Sequence, residues 1–379
     1  MLKIAFVIRN DALTKGGGDI DQAKQFSALI AVPGRVTTTV VRFAQLNVAE
    51  FDLIVLFNID MPFENYLVAR DCVRKKIPYV IYTLHPKAGH VEEFLRHGTI
   101  GAQQLAARAS GYSLVNYETI ACVVRLVRSE HRGKLLSYRS AAYSARYVLQ
   151  NAARVLVSCE DEAEYIRRDF STNAYFETLP HLLDETGIVN SVERSPRTVE
   201  SYVLCAGRIE PRKNQLAVVE IAKSYPRLRF LFLGKKNMNH SHYIRTFERA
   251  IDAADNMEWR DQVPLLDLQR IIGTACAYIN LSWFEVFSLI DLMALTSRTP
   301  SVLSTGSYLY DQTRSNGPIT GVEFTDPNDI VTAGKKLASL PTQVVGGNAF
   351  LDKSWTENAI RKKWTKILNA VKKEQRNAV

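Results

Sequence analysis

The 379-residue chain is longer than one ordinary core supports and fits two domains of roughly 150 residues each. Its composition, 46% hydrophobic and 23% charged, excludes a disordered chain, and no apolar run approaches the roughly 20 residues that span a bilayer as a helix. A net charge of +9 favours anionic partners (sugar nucleotides, acidic lipid surfaces, nucleic acid) without choosing among them.

The first residues, Met1 to Arg9, are too short for a signal segment and lack a small-residue cleavage site, so the expectation is a cytoplasmic protein, at most peripheral on the inner face of a membrane. Cys72, Cys122, Cys159, Cys205 and Cys276 are scattered through apolar runs with no metal-ligand spacing. They read as small buried hydrophobes in a reducing compartment.

In chain order, short apolar runs alternate with helical patterns, the signature of parallel α/β architecture. The first series is Leu2–Ile8, Thr37–Phe43, Leu53–Phe57, Tyr79–Thr83 and Arg154–Ser158, mostly continuous as strands buried on both faces should be. Behind the first run lies Lys15-Gly16-Gly17-Gly18-Asp19, where glycines permit φ > 0 and close approach of backbone to a ligand, or simply turn the chain. His85 closes the fourth run, either as a hydrogen-bonding group for a ligand or as a satisfied structural residue at a strand end. Arg125, Arg128, His131, Arg132, Lys134, Arg139 and Arg146 lie along helical-looking sequence, either as a solvated face or as a dock for anionic lipid or a charged acceptor. No recognised nucleic-acid module is present, which makes nucleic acid the least favoured partner.

Ser191 to Thr198 is polar, carries Pro196 and reads as a linker. A second series follows: Tyr202–Ala206, Arg229–Leu233, Ala277–Leu281 and Ser301–Ser304. Trp355 to Lys373 is a basic amphipathic helix. The expectation is a first domain over 1–195, a second over 200–350, and two Rossmann-like halves facing each other across a cleft.

The strongest signal is Gly207-Arg208-Ile209-Glu210-Pro211-Arg212-Lys213-Asn214, directly after a strand. Glycine turns the chain sharply, and Arg208 and Lys213 emerge together where a diphosphate would sit; a solvated basic loop is the alternative. The second is Leu281-Ser282-Trp283-Phe284-Glu285-Val286-Phe287-Ser288-Leu289, a strand end followed by a helix whose amino terminus suits an anion. Glu285 stands either as an acceptor of ligand hydroxyls or as half of a Ser282-x-x-Glu285 capping box.

Together these segments resemble the C-terminal half of GT-B-fold glycosyltransferases of family four, which show a G-R-x-x-x-x-K element and later an E-G-F-G-L-x-x-x-E-like helix. Arg298-Thr299-Pro300-Ser301-Val302-Leu303-Ser304, Thr305-Gly306-Ser307 and Phe324-Thr325-Asp326-Pro327-Asn328-Asp329 follow in the family's order. The resemblance covers roughly 200–340 and is looser before that. It implies a GT-B fold and a retaining, metal-independent transfer of a sugar from a nucleotide-diphosphate donor, a co-substrate rather than a cofactor, to a glycan, lipid-linked or other acceptor. A catalytically silent GT-B-like scaffold and a sugar-nucleotide epimerase of the same fold are the alternatives.

By the same resemblance, Arg208 and Lys213 hold the diphosphate and stabilise the leaving group, and Glu285 holds the transferred sugar. Gly17, Gly18, Gly207, Val286, Phe287 and Ser288 meet the donor. His85, as a neutral imidazole, bonds a sugar hydroxyl or the nascent phosphate, and Lys87 and His90 line the acceptor side. The final helix, over 354–373, packs back on the first domain. The family's second glutamate, which grips the ribose, is replaced by Met293, which can pack against ribose or base or belong to the core with Val286, Leu289 and Ile290. Asp291 points too differently to substitute. Asp19-Ile20-Asp21 resembles a metal-binding D-x-D, but reads better as acidic residues at a helix amino terminus, with Arg208 and Lys213 already supplying positive charge.

Overall fold

The computed structural model describes residues 1–10, 12, 17–128, 139–182, 201–342, 344 and 355–377. Its first sheet contains β1 Leu2–Ile8, β2 Val36–Arg42, β3 Leu53–Phe57, β4 Tyr79–Tyr82, β5 Arg154–Val157 and β6 Phe176–Thr178, in the order β2-β1-β3-β4-β5-β6. The second contains β7 Tyr202–Ala206, β8 Arg229–Leu233, β9 Met257–Arg260, β10 Ala277–Asn280, β11 Ser301–Ser304 and β12 Val322–Thr325, in the order β12-β11-β10-β7-β8-β9. Every pairing in both sheets is parallel; Ile4 aligns with Leu53, and Tyr202 with Arg229.

Interior strands carry the continuous apolar runs, because helices cover both faces of a parallel sheet. In β3 all five residues are buried. β6, β9 and β12 are edge strands with mixed composition, such as Met257-Glu258-Trp259-Arg260, and periodicity does not announce them. They are half-covered, so charge is tolerated at alternate positions.

The described residues form two compact units. The first holds β1 to β6 and the helix Glu357–Asn377. That helix buries Ile360, Trp364, Ile367 and Val371, one stripe at helical spacing, with the Trp364 ring 5.9 Å from Phe6 and 5.6 Å from Phe26.

The second unit holds β7 to β12 and also Gly89–Tyr112, a segment that falls inside the range expected for the first domain. Aromatic packing explains this grouping. Phe94 lies 6.3 Å from Trp283 and 5.7 Å from Phe284, and His97 stacks on Trp283. A Cβ on Gly98 would stand 2.7 Å from the Trp283 indole nitrogen, so glycine is what lets the segment approach. The expected linker at 191–198, and His131, Arg132 and Lys134 of the basic stretch, lie outside the described residues. Among the described residues, no helix is long and apolar enough to cross a membrane.

Candidate active site

The strand order of the second sheet reverses between β7 and β10, which are neighbours. At such a switch point the connections leave in opposite directions and open a crevice beyond the carboxyl ends of the strands. The loops leaving these two strands are 207–214 and 281–288.

The first loop is built on close backbone approach. Gly207 has φ +141° and donates its N–H to Leu233 O at 2.9 Å; Gly234, at the end of β8, has φ +147°, and a Cβ there would fall 2.2 Å from Gly207 O. Pro211–Lys213 forms one 3-10 turn, closed by Asn214 in the left-handed region. Buried Gln215 clamps the loop: its Nε2 donates to Arg208 O at 2.8 Å and its Oε1 accepts from the Glu210 N–H at 3.3 Å. The Trp283 N–H donates to Arg212 O at 2.9 Å, joining the second loop to the first.

Three cations and two carboxylates share this corner. Lys213 Nζ pairs with Glu285 Oε1, and Arg212 Nη1 reaches the same oxygen at 3.2 Å. Arg212 Nη2 and Arg208 Nη2 meet Glu210 Oε1 at 3.3 and 3.4 Å. Arg208 and Lys213 thus belong to one cluster, linked through Glu210, Arg212 and Glu285. Burial works against charge on Glu285, but Lys213 and then Arg212 outweigh it and hold the carboxyl down at about 2. Glu210 is likewise lowered against burial, by Arg212 and Arg208. Arg208 is the most open of the three cations, with its side chain 34% exposed.

Sequence reasoning passed over Arg212 and Glu210, although both stand inside the motif. Side-chain direction in a single 3-10 turn follows neither the 3.6-residue nor the 2-residue period, and alternation of charge was the only available signal.

The capping-box reading of Glu285 is corrected. The helix begins only at Leu289, and Ser288 caps it, its Oγ accepting from the Asp291 N–H at 3.3 Å. Glu285 instead bridges to Ser307, its N–H donating to Gly306 O at 3.1 Å, so its carboxylate is available to the cations. Phe287 is buried, its ring 6.4 Å from that of Tyr308, and half-buried Val286 accepts from the Tyr308 N–H at 3.2 Å.

The core-packing reading of Met293 is corrected too. Leu289, Ile290 and Met293 are partly exposed, whereas Asp291, Leu292, Ala294 and Leu295 face inward. Asp291 accepts from Tyr278 O–H at 2.8 Å and Asn280 Nδ2 at 2.7 Å. Burial, then Glu285, raise its carboxyl to about 6. It braces the strand behind the site.

In the first unit, Gly17 has φ +145°, and a Cβ there would fall 2.5 Å from Asp19 Oδ1 and 2.8 Å from Arg9 Nη2. Gly18 opens the helix Gly18–Ile30, Asp19 pairs with Arg9 at 3.2 Å, and Asp21 lies in the first turn. Lys15 and Gly16 lie outside the described residues.

His85 is fully buried just beyond β4, its Nδ1 3.2 Å from Asp60 and its Nε2 3.1 Å from Asp169. The expected neutral imidazole is corrected: burial disfavours charge, but hydrogen bonds to Asp169 and Asp60 outweigh it and raise the ring to about 9. Beside it, buried Glu162 accepts from His85 N–H at 2.8 Å and from Ser158 N–H and Oγ at 2.7 and 2.6 Å. Lys87 is buried in this unit, while His90 falls in the segment grouped with the second.

No protein-family model matches the sequence, and neither does any curated protein. Solved structures match along nearly the whole of both chains. Sucrose-phosphate synthase from Thermosynechococcus elongatus superposes with a TM-score of 0.64 at 13% identity, covering 100% of this chain and 98% of that one. HepE from Anabaena, solved with UDP, gives 0.64 at 12% identity over 98% and 100%. A UDP-forming α,α-trehalose-phosphate synthase from Burkholderia xenovorans gives 0.57 at 11% identity over 97% and 99%. The likeness, with the two parallel six-stranded sheets, establishes the fold as GT-B.

Proposed function

We propose that this chain is a glycosyltransferase that moves a sugar from a nucleotide-diphosphate donor to an acceptor hydroxyl on a glycan, a lipid-linked glycan or another molecule. The observation that carries the reading is the cluster of Arg208, Arg212, Lys213 and Glu285 on the two loops of the switch point. Arginine offers a planar fork to phosphate oxygens and lysine a compact charge. These cations supply what other enzymes take from a metal ion, which makes the reaction metal-independent in this reading.

The donor diphosphate must compete with Glu285 for Lys213. As Lys213 turns to phosphate, Glu285 Oε1 keeps Arg212 and gains room to accept from a sugar hydroxyl. In the transfer, the bond from the sugar's anomeric carbon to the diphosphate oxygen breaks, and its electron pair leaves with the diphosphate. The acceptor oxygen bonds to that carbon and gives up its proton to the departing phosphate. Charge grows on the phosphate in the transition state, where Arg208 and Lys213 stabilise it. Retention of configuration rests on the family resemblance. HepE, which shares the fold, has been solved with UDP-glucose, which supports a UDP-sugar as the first donor to try.

The test is incubation with a panel of nucleotide sugars beginning with UDP-glucose, following free nucleoside diphosphate and sugar products. Release of diphosphate with hydrolysis or transfer, lost in Arg208→Ala and Lys213→Ala, is the expected result. Donor isomerised without transfer points to an epimerase, and binding without turnover to a silent scaffold; either overturns the proposal.

A further inference from the structure

The reaction as proposed leaves the Glu210 carboxylate without a task. Glu210 is 5% exposed and stands among the cations that would receive a diphosphate. Taken by itself this carboxylate is adverse, since a fixed negative charge at close range repels an incoming anion. Its surroundings are nonetheless built to keep it there and charged. Oε2 accepts from Asn237 Nδ2 at 2.8 Å, and the residue's own N–H donates to Gln215 Oε1 at 3.3 Å. Asn237 is fixed in turn: its N–H donates to Ile209 O at 3.1 Å and its Oδ1 accepts from the Asn239 N–H at 3.3 Å. The remaining oxygen, Oε1, faces the guanidinium groups of Arg208 and Arg212.

We infer that Glu210 is a positioning residue of the diphosphate site, aiming the guanidinium of Arg208 and drawing Arg212 partly off Glu285. This rests on the glycosyltransferase reading and deepens it. The Arg208 side chain makes no other hydrogen bond or ion pair among the described residues. Without Glu210 it would sample many rotamers, and a diphosphate would have to order it on binding. Arg212 bridges Glu210 and Glu285 and also donates to Phe284 O at 3.2 Å, so loss of Glu210 would leave the carboxylate that must meet the sugar as its one anionic partner. The carboxylate's repulsion of phosphate is accepted in exchange for a preorganised fork.

The two effects have opposite signs, which makes the inference testable with UDP as probe, on the full chain, by equilibrium dialysis. Glu210→Gln keeps shape and removes charge; repulsion alone predicts tighter UDP binding, and positioning predicts binding weaker by about tenfold. In a double-mutant cycle, Glu210→Gln costs affinity when Arg208 is present and adds nothing to Arg208→Ala, a coupling that a merely structural role would not produce. Asn237→Ala keeps the charge and loosens its anchor, with an expected weakening of about threefold. It decides the matter should Glu210→Gln fail to fold by circular dichroism. Equal or tighter binding in Glu210→Gln, additivity with Arg208→Ala, or unchanged binding in Asn237→Ala alongside an unfolded Glu210→Gln overturns the inference while leaving the transferase reading intact. A wild-type chain that takes up no nucleoside diphosphate overturns both.

Discussion

The two sheets carry polar clusters of opposite character beyond their strands. In the first unit, His85 and Glu162 are fully buried, both ring nitrogens of His85 face carboxylates, and Glu162 gathers donors from Thr83, His85 and Ser158. In the second unit, three cations share two carboxylates, and Arg208 and Arg212 keep 34% and 25% of their side chains exposed. A cluster whose His85 and Glu162 are wholly buried and already partnered, with Asp60 and Asp169 only 27% and 14% exposed, suits holding backbone in place. One in which cations outnumber carboxylates and remain open to solvent can exchange a partner for an anion. Burial and partner count, more than residue type, separate a brace from a receptor.

Substitutions can break this contrast. The largest expected effect is Lys213→Ala, which should lower donor turnover about 1,000-fold in steady-state assays, since it removes a cation from the developing charge. A loss under tenfold would place the chemistry elsewhere. Next comes His85→Ala, which should leave two carboxylates facing a buried gap and cost on the order of 3 kcal/mol in urea unfolding, with UDP affinity unchanged. A drop in UDP affinity would end its assignment as a brace.

The same residue gives a pH signature. His85 is raised from 6.5 to about 9, so its contribution to stability is fully present below 6.5 and lost as pH rises through 9. Wild type should weaken over that window, and His85→Ala should not. Glu285 has the opposite sign: lowered from 4.5 to about 2, it contributes above 4.5, and that contribution is lost as pH falls towards 2. Arg208→Ala should reduce kcat/KM for the donor about 100-fold and flatten its dependence on salt. The smallest effect is Gly234→Ala, where the new Cβ meets Gly207 O at 2.2 Å. It should cost roughly 1–2 kcal/mol and raise the donor KM a few-fold by displacing the first loop, as kinetics and melting would show.

What was legible in the chain follows from the same physics. Doubly buried strands such as β1, β3, β7 and β8 stand out as apolar runs, and the cations at 208 and 213 stand out because a glycine turn places them locally. Three features were hidden. Glu177, and the charges of β9 and β12, break the pattern of edge strands that need only half a face covered. The grouping of Gly89–Tyr112 with the second sheet depends on Phe94 and His97 meeting Trp283, a contact between distant segments that no local period encodes. His85 was visible as a strand-end histidine, but its charge state is set by Asp60 and Asp169, which arrive from a different loop and helix.

The most direct test of the whole account is calorimetric titration of UDP, with ADP and GDP beside it, into wild type and the Arg208→Ala/Lys213→Ala double variant at two salt concentrations. The account predicts saturable uptake of at least one nucleoside diphosphate by wild type, weakened by salt and abolished in the double variant while the fold persists. Equal uptake by both proteins, or none by wild type, would contradict it.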